Sequence, residues 1–191
     1  MPQAAPATPR VTAERYFALV DERVLRPDDR VELLEGVIVS IAPQNPRHAA
    51  GTSRADYAVR AAIGNRATVR VQLPLVLSLY SVPEPDVAVV PGHRNDYDTA
   101  HPTTALLVIE VADASLVPDR LTKGAIYAAA GIPEYWIVDL RDDRVEILRA
   151  PDRKAARYGE TRVVGPGERL ELAALPGAVV AVEDLLPRRA R

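Results

Sequence analysis

Three short stretches of this sequence carry side chains that could act together. In PEPDVAVV (83–90), Asp86 opens a β-rich run directly after Pro85. In ALLVIEV (105–111), Glu110 interrupts an otherwise apolar run and is followed at once by Val111. In DRLTKGAIY (119–127), Asp119, Lys123 and Tyr127 recur every fourth residue and so share one helix face. A carboxylate taken out of water must be neutralised, paired or bound to a cation. Two carboxylates at the ends of neighbouring strands can hold a divalent metal between them, completed by a backbone carbonyl and water. All-oxygen ligation of that kind suits Mg2+ or Mn2+. A nearby ammonium can orient a metal-bound water and stabilise charge on a phosphoryl oxygen.

Each residue also has a plain structural explanation. Asp86 after a proline can simply start a strand, Glu110 can sit in a buried ion pair, and Lys123 can be solvated or paired with Asp119. One count singles out the lysine. Of 24 basic residues only Lys123 and Lys154 are lysine and the rest are arginine, as a coding bias would produce. A lysine that persists under such a bias is a candidate for a role needing a compact ammonium that arginine does not supply.

The surrounding pattern shows what would position these groups. Residues 1–10 read as a disordered tail. Residues 11–23 read as a helix capped by Thr12, and 30–43 as two strands joined at Glu35-Gly36. Residues 46–64 suit a helix opened by Pro46 and closed at Gly64, although Gly51, Thr52 and Ser53 weaken it. One or two strands follow over 67–78, a short strand over 86–91, and a polar loop with His93 and His101 over 92–104. ALLVIEV lacks polar alternation before Glu110 and reads as a central strand. A helix over 119–130 stops at Gly131 and Pro133, strands follow over 134–140 and 144–150, and the remainder reads as short strands and turns. This order predicts an α/β fold, a mixed sheet flanked by helices, in a single domain over 11–186 followed by a basic tail over 187–191.

Composition narrows the function less. The net charge of −2 carries no strong basic footprint. Absence of cysteine excludes disulfides, zinc–thiolate sites and thiol nucleophiles. MPQAAPATPR lacks the pattern of a secretory signal, and no apolar stretch approaches the roughly 18 residues of a membrane span, so the expectation is a cytoplasmic protein without membrane contact.

The string IEVADASLVPDRLTKGAIYAAAGIPEYWIVDL (109–140), preceded by PEPDVAVV, resembles the Uma2 family of endonuclease-like proteins, within the PD-(D/E)XK nuclease superfamily. The resemblance spans roughly residues 14–150. It implies a restriction-endonuclease-like core in which Pro85-Asp86 matches the first half of the motif and Glu110 its second acid. The lysine usual two places after that acid is absent, since Ala112 stands there. In Uma2-like proteins the lysine role moves to the next helix, which here implies Lys123. The resemblance further implies Mg2+ or Mn2+ held by Asp86, Glu110 and the Val111 carbonyl, with Glu32, His48, Gln72, Asp119 and Tyr127 around the pocket. For Glu32 and His48 a strand-edge charge and a helix-capping side chain remain alternatives, as does backbone pairing for Gln72. Tyr135 and Trp136 read as core or dimer contacts, and His93 and His101 as solvated.

The leading expectation is therefore metal-dependent phosphodiester hydrolysis on nucleic acid, DNA before RNA, by a homodimer. Two rivals keep the fold without the reaction. A binding module would show a basic face independent of Asp86 and Glu110, and a structural dimer would pair those acids with arginines.

Overall fold

The computed structural model describes residues 9–26, 28–113 and 117–188, with the side chains of 117–120 excepted. Its centre is a six-stranded mixed sheet in the order β3-β4-β5-β6-β7-β8, formed by Thr68–Val71, Val87–Val90, Leu107–Ala112, Glu134–Asp139, Arg144–Asp152 and Arg157–Val164. Only β5 and β6 run parallel, and helix α3 (Val117–Ala130) connects them. Every other neighbouring pair is antiparallel. The architecture is the expected mixed sheet flanked by helices.

The two faces of the sheet bury different residues because side chains alternate along a strand. Ile109, Val111, Trp136 and Val138 pack toward helix α2 (Pro46–Ile63) with Ala55, Val59 and Ile63. Val108, Ala112, Tyr135 and Ile137 pack on the other face with Ile126 and Tyr127 of α3. Glu110 falls between Val108 and Ala112 and therefore points to the α3 face. Tyr135 and Trp136 are core residues: Trp136 is fully buried, and Tyr135 meets the Tyr127 ring edge-on at 5.1 Å.

A separate hairpin, β1 (Val31–Leu34) and β2 (Val37–Ser40), closes over one end of this face. Its two-residue turn places Glu35 and Gly36 at φ 50° and 87°, the left-handed geometry that matches strand twist. Helix α1 (Ala13–Asp21) packs Tyr16 against Leu33 and Val82 in a smaller cluster. A second hairpin, β9 (Arg169–Glu171) with β10 (Val179–Ala181), leads into the short helix α4 (Val182–Leu185) beside α2.

Several local expectations need correction. Helix α1 starts at Ala13 because the Thr12 hydroxyl caps it, accepting from the Arg15 amide at 3.2 Å. Arg10, assigned to the tail, packs over the Tyr80 ring at 3.9 Å and donates to the Glu35 carbonyl at 2.8 Å. Residues 1–8 of that tail lie outside the described set. Helix α2 is continuous through Gly51–Ser53, since Gly51 and Thr52 are buried toward the sheet. Of the one or two strands expected over 67–78, one forms, Thr68–Val71, and it ends where Gln72 turns to φ 50°. Beyond residue 150, β7 and β8 form a long ribbon rather than short strands. Of the basic tail, Pro187 is buried and 189–191 lie outside the described residues.

Candidate active site

The strand register brings the two acids together. Val87 pairs with Ile109 and Ala88 with Val108 in the antiparallel β4–β5 ladder, so continuing it sets Asp86 opposite Glu110. Both border a cavity of about 320 Å3 that is also lined by Glu32, His48, Gln72 and Lys123. Sequence separations from Glu32 to Lys123 thus collapse into one pocket at the mouth of the sheet.

Asp86 is held from three directions. The Val111 amide donates to its Oδ2 at 2.9 Å, Gln72 Nε2 donates to Oδ1 at 3.1 Å, and His48 Nε2 lies 3.3 Å from Oδ2. Burial pushes its pKa up, but His48, the Val111 amide and Gln72 outweigh that and hold it below the usual range. His48 is raised in turn, chiefly by its hydrogen bond to Asp86 and against the cost of its burial. It reaches Asp86 from the first turn of α2, where Asn45 caps the helix by accepting from the Arg47 and His48 amides. Gly51, one turn later, lets α2 lie close on β5: a Cβ there would meet Val111 Cγ1 at 2.9 Å. The backbone amide of Gln72 points to the Pro85 and Asp86 carbonyls, so the left-handed turn at that residue ties β3 to the acid it also bonds by its side chain.

Glu110 is in a less settled environment. Lys123 Nζ lies 3.1 Å from its Oε1, and the Tyr127 hydroxyl donates to the same oxygen at 2.7 Å. Among the described residues none is bonded to Oε2. Desolvation dominates and pushes the Glu110 pKa up to about 7; Lys123 opposes this, while Asp86 and Glu32 add repulsion. The same burial and the Glu110 charge lift the Tyr127 hydroxyl well above its ordinary value, so it stays a donor.

Lys123 is shared. Its ammonium lies 3.0 Å from Glu32 Oε1 as well as 3.1 Å from Glu110, with 13% of its side chain exposed. Burial alone would lower its pKa, but the two carboxylates outweigh burial and raise it, so the group is charged. Glu32 is fixed by its other oxygen, which accepts from the Glu84 amide at 3.0 Å. Neither Glu32 nor His48 is therefore a mere strand-edge charge or solvent-facing cap. Asp119 belongs to α3, but its side chain lies outside the described residues.

Sequence reasoning missed Glu84. It lines the same cavity, and burial followed by repulsion from Glu32 raises its pKa. Its place two residues before Asp86 in PEPD was the available signal. The remaining histidines stay away from the pocket. His93 and His101 are exposed, as expected; His93 caps a 3-10 turn and His101 stacks on Phe17 at 5.3 Å. Lys154 lies at the β7–β8 turn, where its amide bonds Asp152.

The donor set fits a hard divalent cation. Glu32, Glu84, Asp86 and Glu110 converge on one pocket against a single ammonium, with Arg30 also lining it. Carboxylate oxygens of this kind are the donors that a hard divalent cation takes. Among the described residues no three His, Cys, Asp or Glu group to hold an ion, so two carboxylates, a backbone carbonyl and water would supply the ligands.

Comparison with known proteins gives the family and the fold. Residues 13–183 match the family model Uma2, described as "Putative restriction endonuclease". Among solved structures, the chain is similar to one described as "a putative nuclease belonging to DUF820" from Anabaena variabilis. The match has a TM-score of 0.71 at 16% identity and covers 92% of this chain and 97% of that one, which establishes a shared fold. No curated protein matches the chain. No helix among the described residues is long and apolar enough to cross a membrane.

Proposed function

This chain belongs to the Uma2 family, and from that premise we propose that it hydrolyses phosphodiester bonds in DNA with Mg2+ or Mn2+. The carrying observation is that α3 delivers Lys123 to within 3.1 Å of Glu110, the acid opposite Asp86, although the strand itself has alanine at position 112. Asp86, Glu110 and the Val111 carbonyl would hold the metal, which when bound supplies Lewis acidity and lowers the pKa of a water.

The chain's own residues do the rest. Lys123 places a charged, compact donor beside the metal-binding acid, where it can orient water and offset charge on a phosphoryl oxygen. Glu32 steers that ammonium, and Tyr127 fixes the Glu110 carboxylate. His48 and Gln72 fix Asp86, and Gly51 sets the approach of the helix that carries His48. Cleavage of both strands requires two such sites, which favours a homodimer, and the reading places the protein in the cytoplasm.

The reading that the acids are merely paired to arginines is disfavoured by the lysine at Glu110 and the histidine at Asp86. A plasmid-nicking assay with Mg2+ or Mn2+ tests the proposal on wild type, Asp86→Ala, Glu110→Gln and Lys123→Ala. Metal-dependent nicking abolished by both carboxylate changes is expected. Nicking that survives Asp86→Ala and Glu110→Gln, or no nicking together with no metal binding by calorimetry, would overturn it in favour of a binding module.

A further inference from the structure

The β1–β2 hairpin brings more to the pocket than Glu32. Residues paired across the ladder share a face, so Val39, opposite Glu32, also turns toward the acids. One step further along, the Ile41 amide donates to the Arg30 carbonyl at 2.8 Å. That bond extends the register by one pair and puts Arg30 and Ile41 on the same face, and Arg30, Val39 and Ile41 all line the cavity. Three basic side chains border this cavity, and two are committed: Lys123 to Glu32 and Glu110, His48 to Asp86. Arg30 is exposed, and its charge is felt at Glu84. Among the described residues its guanidinium has no ion pair or hydrogen bond. Val39 and Ile41 are half-buried, an apolar wall beside that free cation.

We propose that the substrate of this site is single-stranded DNA, with Arg30 gripping a backbone phosphate and Val39 and Ile41 packing against the nucleoside beside it. The inference rests on the hydrolytic reading above and narrows its substrate. A guanidinium fork matches two phosphate oxygens at once, and Arg30 has its donors to spare. The apolar wall needs a sugar and base to cover it. Bases in a duplex are paired and stacked, so only an unpaired nucleotide can offer its face to a protein wall. The two acids are recessed, with 9% of the Asp86 side chain and 16% of the Glu110 side chain exposed. At about 320 Å3 the cavity is near the small end of ligand pockets, so it admits one nucleotide and not a double helix. Duplex binding draws on many phosphate contacts, whereas this chain has a net charge of −2 and one uncommitted cation at the pocket. Negative supercoiling favours strand opening, so nicking of plasmid is the reaction such a site would give.

Fluorescence anisotropy of a fluorescein-labelled single-stranded oligodeoxynucleotide tests this, with Ca2+ in place of Mg2+ and the oligonucleotide checked intact afterwards. Wild type should bind the single strand at least about tenfold more tightly than the blunt duplex of the same sequence. Arg30→Ala should weaken single-strand binding about tenfold or more, the loss of a charge-assisted contact. It should also lower the slope of log affinity against log salt by about 0.7, one phosphate on a single strand. Ile41→Ser should weaken binding without changing that slope. Unchanged melting temperatures and an unchanged calorimetric Mg2+ response would place both effects on the substrate. A duplex bound as tightly as the single strand would overturn the proposal, as would an affinity and salt slope indifferent to Arg30→Ala. Arg30-dependent binding of the single strand without any nicking would uphold it while hydrolysis fails. Metal-dependent nicking with affinity and salt slope unchanged in Arg30→Ala would do the reverse.

Discussion

Glu110→Gln should flatten the dependence of stability on pH. In metal-free buffer the folded chain holds the Glu110 proton up to about pH 7, whereas an ordinary glutamate loses it near 4.5. Between those values the folded state binds a proton that the unfolded state has released, so stability falls as pH rises and the loss is complete above pH 7. The displacement corresponds to about 3 kcal/mol at full ionisation, an upper value because 16% of the side chain faces the pocket. His48 and Glu84 are also raised and lose their contributions in the same direction. The raw profile is therefore not diagnostic, and the difference between wild type and Glu110→Gln is.

The assay is urea unfolding with EDTA from pH 5 to pH 8, read by fluorescence of Trp136, the one tryptophan, which is fully buried. Wild type should lose about 2–3 kcal/mol more than the variant across that range. Mg2+ at ten times its dissociation constant should then return about 1.4 kcal/mol to wild type at pH 8, and much less to the variant. Parallel pH profiles would show that Glu110 is not a strained carboxylate. Equal Mg2+ responses would show that the cation binds without it.

Lys123→Met leaves Glu32 and Glu110 facing each other without their cation, which should cost about 3–5 kcal/mol at pH 8 by the same unfolding measurement. Lys123→Arg keeps the charge and should recover most of that stability while still lacking nicking activity, since a guanidinium is not a compact donor. Gly51→Ala forces a Cβ to 2.9 Å from Val111 Cγ1, an overpacking of about 1–3 kcal/mol that displaces His48 from Asp86. Its nicking rate should fall further than its melting temperature accounts for. Glu134→Gln should cost about 1–3 kcal/mol by weakening the bonds of the fully buried Glu134 to the part-exposed Arg149, yet leave the calorimetric Mg2+ response of the pocket intact.

What was legible in the sequence was what local pattern dictates. The apolar run ending at Glu110 announced a central strand, the four-residue spacing put Lys123 and Tyr127 on one helix face, and the arginine bias singled out Lys123 together with Lys154, which lies at a surface turn. What joins them depends on register, which a one-residue slip would invert and which no spacing discloses. Glu32 reaches Lys123 only because a hairpin outside the main sheet folds across its end. Gln72 reaches Asp86 through a left-handed residue where a continuing strand was expected. Glu84 escaped notice because its role comes from the Glu32 it faces. Helix α2 survived an unpromising Gly-Thr-Ser run because Gly51 allows close approach to β5 and Thr52 is buried beside it, so packing overrode propensity.

A buried glutamate is not by itself a functional signal, and this fold contains the control. Glu134, at the start of β6, is fully buried, as is most of Glu110 near the end of the parallel neighbour β5. Glu134 Oε1 accepts from Arg149 Nε at 2.8 Å, Arg149 Nη2 at 2.5 Å and Trp136 Nε1 at 2.9 Å, while Oε2 accepts from the Ala173 amide at 2.8 Å. Both oxygens are satisfied and a guanidinium balances the charge, so nothing more is required of the environment. Among the described residues, Glu110 has both its bonds on one oxygen, shares the Lys123 ammonium with Glu32, and opposes a second acid. In the proposed reading, a hydrated divalent cation would add further contacts to these oxygens. The distinction between the two lies in how far each carboxylate is satisfied, not in how deeply it is buried.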